Sequence, residues 1–513
     1  MNTKEQGLAK SSLIIAGLIV VAVVILLLLP TPQSRTMKVA ATANGVAAEP
    51  RCQKTPNDFS SPPVLARIAP AGLWKGWTYG PSIALRVKPA SARVDQSFTI
   101  HVTGLEPGEP VTLLARMQDF RHLTWSAQAT FIADNKGVVD TTREAPRYGS
   151  YSGVHPMGLV WSMLPQHVKD PQETPYWPSV QSASYPLKLA AMADHRMLAQ
   201  VTLVRYLRAP GVVKTAVTSD GLAGELYTPS TPGPHPAIVV LGGSEGGWLA
   251  SSPEAELLAS HGYVALALAY FQGFQAFDPR LARLPKMLVD IPLEYFIKGA
   301  DWLKQQPGVN PKQVAIIGGS KGAEAALITA SEFPKEFQAV VAFMPSSVVW
   351  AGIRYEPGPI SSSWTRNGKP LPWVNPVINP AMFSPGKPLA FLDAYRAGLK
   401  DATAVNQAAI PVERIKGPIL LVSATHDQIW PSSLMSRQIM QRLAAHHHAY
   451  ADEWLCYAGA GHGIQAPYRP TNASVASLPG NVAIALGGTP TAYAYADRDA
   501  WIKVLAFLHR ALN

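Results

Sequence analysis

Hydrophobic and polar positions divide the chain into four textures. Leu13 to Leu29 is a stretch of 17 residues without a charge, almost all Leu, Ile, Val and Ala. It sits at the short end for a membrane-spanning helix and is longer than the usual apolar core of a signal peptide. Residues 31–75 are rich in Pro, Ala, Ser and Thr and show no period, which reads as a linker. From Ser82 to Arg208 short runs suited to strands (Ser97–Val102, Val111–Arg116, Ala127–Ala133, Val201–Leu207) are separated by turn clusters such as Gly104-Leu105-Glu106-Pro107-Gly108. Asp134-Asn135-Lys136-Gly137 reads as a hairpin turn. Strands spaced by about ten residues predict a β-sandwich of immunoglobulin type. Beyond Arg208, strands (Ala237–Leu241, Tyr263–Tyr270, Val314–Ile317) alternate with helices (Pro253–His261, Ile291–Gln306), the pattern of a mostly parallel sheet with helices on both faces.

The expected organisation is therefore an anchor over 1–30, a linker over 31–75, a sandwich over 76–208 and a catalytic α/β domain over 209–513. An insert rich in Trp and Pro (Trp350, Trp364, Trp373, Pro370, Pro372) spans about 346–411. It reads either as a lid that shapes a pocket or as a loop packed on the sheet edge. No small-x-small cleavage signal follows Leu29 closely, since Pro30-Thr31-Pro32-Gln33-Ser34-Arg35 comes next. An uncleaved single-pass anchor is the expectation, with the membrane as a partner and the catalytic part outside the cytoplasm.

Charged residues make up 15% of the 513 and apolar residues 47%, which excludes a disordered chain and leaves room for two or more cores. The net charge of +10 is not gathered into a Lys/Arg-rich run, and no nucleic-acid motif is present, so a nucleic-acid partner is not expected. Cys52 and Cys456 form no disulfide framework and no zinc site; two free thiols or a single bridge both remain open.

The chemistry gathers at Val314 to Leu327. A short apolar strand runs into Gly318-Gly319-Ser320-Lys321-Gly322, and good helix formers follow. This Gly-x-Ser-x-Gly pattern is the strand-to-helix elbow that holds a nucleophilic serine at the tip of an α/β-hydrolase sheet. Glycines leave room in the strained turn, and the helix N-terminus favours a developing oxyanion. One oxyanion N–H is expected from Lys321 and the second from Ser244 or Glu245, in the Gly242–Gly247 loop after the strand Ala237–Leu241. That loop lacks the spacing of a phosphate-binding loop. In this fold the acid and base follow the nucleophile in that order. Asp427 emerges from the apolar run Pro418–Val422, and His462 lies in Gly459-Ala460-Gly461-His462-Gly463 after the strand Trp454–Tyr457. His446-His447-His448 reads as a solvated helix end, and His155, in the loop Tyr148–Gly158, as structural. Ser320, His462 and Asp427 would act as nucleophile, base and orienting acid on acyl esters or thioesters, with no metal or redox cofactor called for.

The residues Gly104–Val111, Tyr151-Ser152-Gly153, Met157–Met163, Gly318–Glu324, Asp427 and Gly461-His462 resemble the acyl-CoA thioesterase and bile acid-CoA:amino acid N-acyltransferase family over about residues 80–513. The resemblance implies a β-sandwich followed by an α/β-hydrolase domain and an acyl-CoA-like substrate. In that family a cysteine nucleophile goes with transfer to an amino acid and a serine with hydrolysis, and position 320 is serine. A carboxylesterase or dienelactone-hydrolase-like enzyme and an N-acyltransferase are the alternatives. The N-terminal anchor departs from the family, and the oligomeric state has no signature in the sequence.

Overall fold

The computed structural model describes residues 52–56, 69–70 and 72–513, apart from 179–181, 355, 385, 473 and 479–481. The apolar stretch Leu13–Leu29 and most of the expected linker lie outside the described residues. The expected single-pass, extracytoplasmic location is corrected: among the described residues no helix is long and apolar enough to cross a membrane. The longest of them, Pro490–Leu512, carries Asp497, Arg498, Asp499, Lys503 and Arg510, so only one stripe of it is apolar. No described residue supports the expected membrane partner.

Between Ala84 and Tyr206 the alternating pattern folds into two antiparallel-rich sheets that share one core. Inward positions such as Ile100, Val102, Leu113, Ala115, Trp125, Ala129, Leu187 and Leu189 are buried, while their sequence neighbours face outward. Asp134–Gly137 turns as expected but closes no hairpin. The strand before it, Thr124–Ile132, pairs with Pro110–Gln118, and the strand after it, Val139–Asp140, pairs with Thr99–Thr103 in the other sheet. The tight hairpin lies instead between Ser184–Ala193 and Arg196–Tyr206, where Asp194 and His195 take φ of 40° and 66°. His155 is buried against the rings of Tyr151 and Trp161.

The chain beyond Gly211 is built on an eight-stranded sheet. Its strands in chain order are β1 (Val213–Val217), β2 (Ala223–Thr228), β3 (His235–Leu241), β4 (Val264–Ala269), β5 (Val309–Gly319), β6 (Ala339–Phe343), β7 (Ile419–Ala424) and β8 (Glu453–Tyr457), arranged β1-β2-β4-β3-β5-β6-β7-β8. Every neighbouring pair from β4 to β8 is parallel, and β2 runs against both its neighbours. The central strands are apolar through their buried stretches, Ala237–Leu241, Val264–Ala269, Val314–Ile317 and Ala339–Phe343, because both faces are covered there. Ile238 and Val240 point into a core with helices α1 (Ser252–Ser260) and α5 (Pro490–Leu512). Ala237, Val239 and Leu241 point into the opposite one, with α2 (Leu293–Lys304), α3 (Lys321–Glu332) and α4 (Ser432–Ala445).

Three features tie the chain together. A disulfide joins Cys52 to Cys456, and Gln53 pairs alongside β8, donating to Cys456 O and accepting from Ala458 N. Asp95, in the half of the chain that carries the N-terminal pair of sheets, accepts from Trp501 Nε1 of α5 and contacts His261 at the end of α1. Near the mouth of the sheet, Thr471 N donates to Trp161 O, and Asn472 Nδ2 donates to Pro171 O and Thr174 O. The reading of His446–His448 as a solvated helix end holds for the first two. His448 is the exception: its imidazole is buried between Asp452 and Ile415 O, which closes the turn from α4 into β8.

Candidate active site

β5 ends at Gly319, and Ser320 takes φ 54° and ψ −120° before α3 begins at Lys321. A residue with a β-carbon in this region of backbone space is strained and persists only where the surroundings over-determine it. They do so here through backbone packing. Ser320 N donates to Phe343 O of β6 at 2.9 Å, and a β-carbon at Gly318 would strike the carbonyl of Gly322. One at Gly322 would lie 2.7 Å from Leu241 O, with Gly242 O closer still. Gly318 is thus a glycine because the elbow folds back on its own turn, and Gly322 because the elbow and the Gly242 loop touch backbone to backbone. At Gly319 an added β-carbon meets nothing within 4 Å.

Loops from three strand ends meet at Ser320. Its Oγ lies 2.8 Å from His462 Nε2, and His462 Nδ1 lies 2.8 Å from Asp427 Oδ2. An ionised carboxylate only accepts, so Nδ1 carries a proton toward Asp427 and Nε2 is left to accept from the serine hydroxyl. Asp427 is 2% exposed, and its other oxygen accepts from Ile429 N and Trp430 N at 2.9 and 3.2 Å. The carboxylate is thereby fixed from both sides. The loop carrying His462 is held by its own N–H on Leu486 O and by Tyr493 Oη, which accepts from Gly463 N and donates to Gly487 O. The Trp430 ring meets the imidazole edge-on, with centroids 5.6 Å apart.

The Gly242–Gly247 loop runs past the serine; a β-carbon on Gly243 would be 3.2 Å from Ser320 Cβ. Tyr270 Oη lies within hydrogen-bonding reach of Gly242 O and Gly243 O. The Glu245 side chain turns back on its own loop and accepts from Gly243 N at 2.7 Å. Burial pushes its carboxyl above the ordinary range, with its own N–H, that of Gly243 and nearby His462 acting the other way. Of the two residues expected to offer the second oxyanion N–H, Glu245 therefore has its own N–H against its carboxylate. Lys321, as the first residue of α3, has an N–H with no intrahelical acceptor.

Residues that sequence reasoning passed over complete the surroundings. Trp430, three positions after Asp427, donates through Nε1 to Met344 O and packs on His462. Glu324 is fully buried one turn into α3, with both carboxylate oxygens 2.7 Å from Lys321 Nζ. The Lys321 and Glu324 spacing of three along a helix was the signal that could have flagged this pair.

Three family models match the chain. One described as acyl-CoA thioester hydrolase/BAAT N-terminal region covers residues 95–219, and one described as BAAT/acyl-CoA thioester hydrolase C terminal covers 291–513. The dienelactone hydrolase family model covers 222–358, which spans the first strands of the parallel sheet and the elbow. Acyl-coenzyme A thioesterase 2, mitochondrial, of Rattus norvegicus is 30% identical over 86% of this chain and 95% of its own length. Acyl-coenzyme A thioesterase 1 of Homo sapiens is 32% identical over 82% of this chain and 94% of its own. The crystal structure of a dienelactone hydrolase from Anabaena variabilis aligns at 17% identity with 49% of this chain and 88% of its own, at a TM-score of 0.28. With both halves matched and relatives aligned along nearly their whole length, the chain belongs to the acyl-CoA thioester hydrolase/BAAT family and is a hydrolase.

Proposed function

We propose that the protein hydrolyses acyl-coenzyme A thioesters through an acyl-enzyme on Ser320. The observation that carries the reading is the hydrogen-bonded line Ser320 Oγ, His462, Asp427, each link 2.8 Å long. His462 Nε2 takes the hydroxyl proton as Oγ attacks the thioester carbonyl, and Asp427 stabilises the imidazolium and holds its tautomer. The N–H groups of Lys321 and of the Gly242 loop, at Ser244, stabilise the tetrahedral oxyanion. Collapse expels the thiolate, which takes the proton from His462. Water, deprotonated by the same imidazole, then attacks the acyl-Ser320 ester, and the carboxylic acid leaves as Oγ is reprotonated.

Within this reading the sheets between Ala84 and Tyr206 are an immunoglobulin-like sandwich, and the domain boundary falls near residue 208. Support comes from two sheets around a single core and from a separate family model for each half. Serine at position 320 supports hydrolysis over transfer to an amino acid. The test is steady-state kinetics on matched acyl-CoA and p-nitrophenyl esters, with and without glycine or taurine, for wild type and Ser320→Ala. A kcat/KM favouring the thioester, with free acid as product and lost in the variant, is expected. A preference for simple esters moves the protein to the carboxylesterases, and an N-acyl product to the transferases.

A further inference from the structure

Asp497 on α5 is a buried acid outside the catalytic line, 2% exposed, and the loop that carries the base lies against it. Gln465 N, three residues past His462, donates to Asp497 Oδ1 at 2.9 Å. Tyr493, one turn earlier on the same face of the helix, accepts from Gly463 N at 3.2 Å and donates to Gly487 O at 2.9 Å. Ala466 N donates to the carboxylate of Glu254 in the first turn of α1. A β-carbon on Gly461 would strike Tyr493 Oη, so the loop lies directly on the helix.

Gly459-Ala460-Gly461-His462-Gly463 has little of its own to fix it. Three of its five residues are glycine, and no helix or strand runs between Tyr457 and Val475 among the described residues. Its place is set by where its N–H groups end: Leu486 O for His462, Tyr493 for Gly463 and Asp497 for Gln465. Ser320 and Asp427 sit just past the ends of β5 and β7, whereas the backbone after His462 is referred to one turn of α5. A buried acid is costly unless its charge is paired or removed. Burial pushes the Asp497 carboxyl up to about 8, with Glu254 adding to the rise and Arg469 and the Gln465 N–H opposing it. At pH 7 the side chain therefore carries its proton and offers what an asparagine offers, an acceptor oxygen beside a donor.

We propose that Asp497 and Tyr493 are positioning residues for the catalytic base: they hold the backbone that follows His462 and so keep the imidazole in line between Ser320 and Asp427. The proposal deepens the thioesterase reading and rests on its triad. The test uses the full chain at pH 7, with two readouts. One is kcat and KM on a single acyl-CoA. The other is the rate at which a fluorophosphonate labels Ser320, where Oγ displaces fluoride and His462 takes the proton; the end-point of labelling counts the folded sites. Asp497→Leu removes the acceptor for Gln465 N, and Tyr493→Phe removes Oη alone. Each is expected to lower kcat per site and the labelling rate by about tenfold to a hundredfold, the scale of an imidazole misplaced by about 1 Å, with KM within about threefold of wild type. Asp497→Asn keeps the acceptor and is expected to stay within about threefold of wild type on both readouts. Val504→Ala, a fully buried position in the apolar core further along α5, is expected to lower the melting temperature and leave kcat per site unchanged. If Asp497→Leu does not fold, Tyr493→Phe is read in its place. Wild-type rates in the folded variants that lose an acceptor, a loss in Asp497→Asn equal to that in Asp497→Leu, or an equal loss in Val504→Ala overturns the proposal. Failure of the thioesterase reading would show separately, as a wild type that is labelled at Ser320 yet hydrolyses no acyl-CoA, and the labelling rates then decide the proposal.

Discussion

Gly322→Ala probes the backbone contact on which the site is built. A β-carbon there lies 2.7 Å from Leu241 O, so the Gly242 loop and the elbow must separate by at least about 0.7 Å to reach the ordinary 3.4 Å contact. Neither side yields cheaply, since both are backbone at the ends of central strands. Overpacking of this kind costs about 1–3 kcal/mol in stability. The catalytic loss should be larger. Oxyanion donors act at about 2.7–3.1 Å, and a displacement approaching 1 Å withdraws one of them, which costs on the order of 10² to 10³ in kcat. Gly319→Ala is the matched control, because a β-carbon at that neighbouring glycine meets nothing within 4 Å. The assay is kcat and KM on the best acyl-CoA for both variants, with circular dichroism melts to establish folding. We expect Gly322→Ala to be folded, to bind with nearly unchanged KM and to lose about two to three orders of magnitude in kcat, and Gly319→Ala to stay within a few-fold of wild type. A folded Gly322→Ala with wild-type kcat would refute the assignment of the oxyanion site to this junction.

Two further predictions concern stability. Burial alone would raise the Asp95 carboxyl, but its hydrogen bond to His261, the charge of His261, Trp501 Nε1 and Arg93 bring it down to about 2. Its folded value lies below the unfolded one, so its contribution, about 2 kcal/mol, is present above pH 4 and fades as pH falls toward 2. Asp95→Asn should therefore lower the urea midpoint at pH 6 and match wild type near pH 2, and parallel pH profiles for the two proteins would contradict this. The Cys52–Cys456 bridge spans 404 residues, and the chain-entropy model assigns such a loop about 6 kcal/mol at most. Melts with and without reductant, and of Cys52→Ser, should show lower transition temperatures when the bridge is absent, and identical melts would exclude a stabilising role.

Much of the site was legible because its signals are local. Ser320 announces itself through two glycines that the turn geometry demands, placed between an apolar strand and a helix. Asp427 and His462 follow from the chain order of the fold, each just past a short apolar strand. What stayed hidden depends on partners distant in sequence. Glu324 reads as a good helix former until Trp350 and Trp364, 26 and 40 residues on, arrive at its carboxylate. His448 looked like part of a polar tract because Ile415 O, its acceptor, lies 33 residues earlier. The Asp134–Gly137 turn has hairpin chemistry, yet a turn does not encode which sheet receives the next strand. The pairing of Cys52 with Cys456 likewise had no local signature.

The central claim is that the reaction passes through an acyl group on Ser320, and rapid-quench mass spectrometry tests it most directly. Enzyme mixed with excess acyl-CoA is stopped in acid within milliseconds and digested. The account predicts a peptide carrying Ser320 heavier by one acyl group, formed in a burst close to one per chain, absent in Ser320→Ala and accumulating in a variant of His462 only if acylation survives. A full turnover rate with no acylated Ser320 peptide, or an acyl group on another side chain, would contradict it.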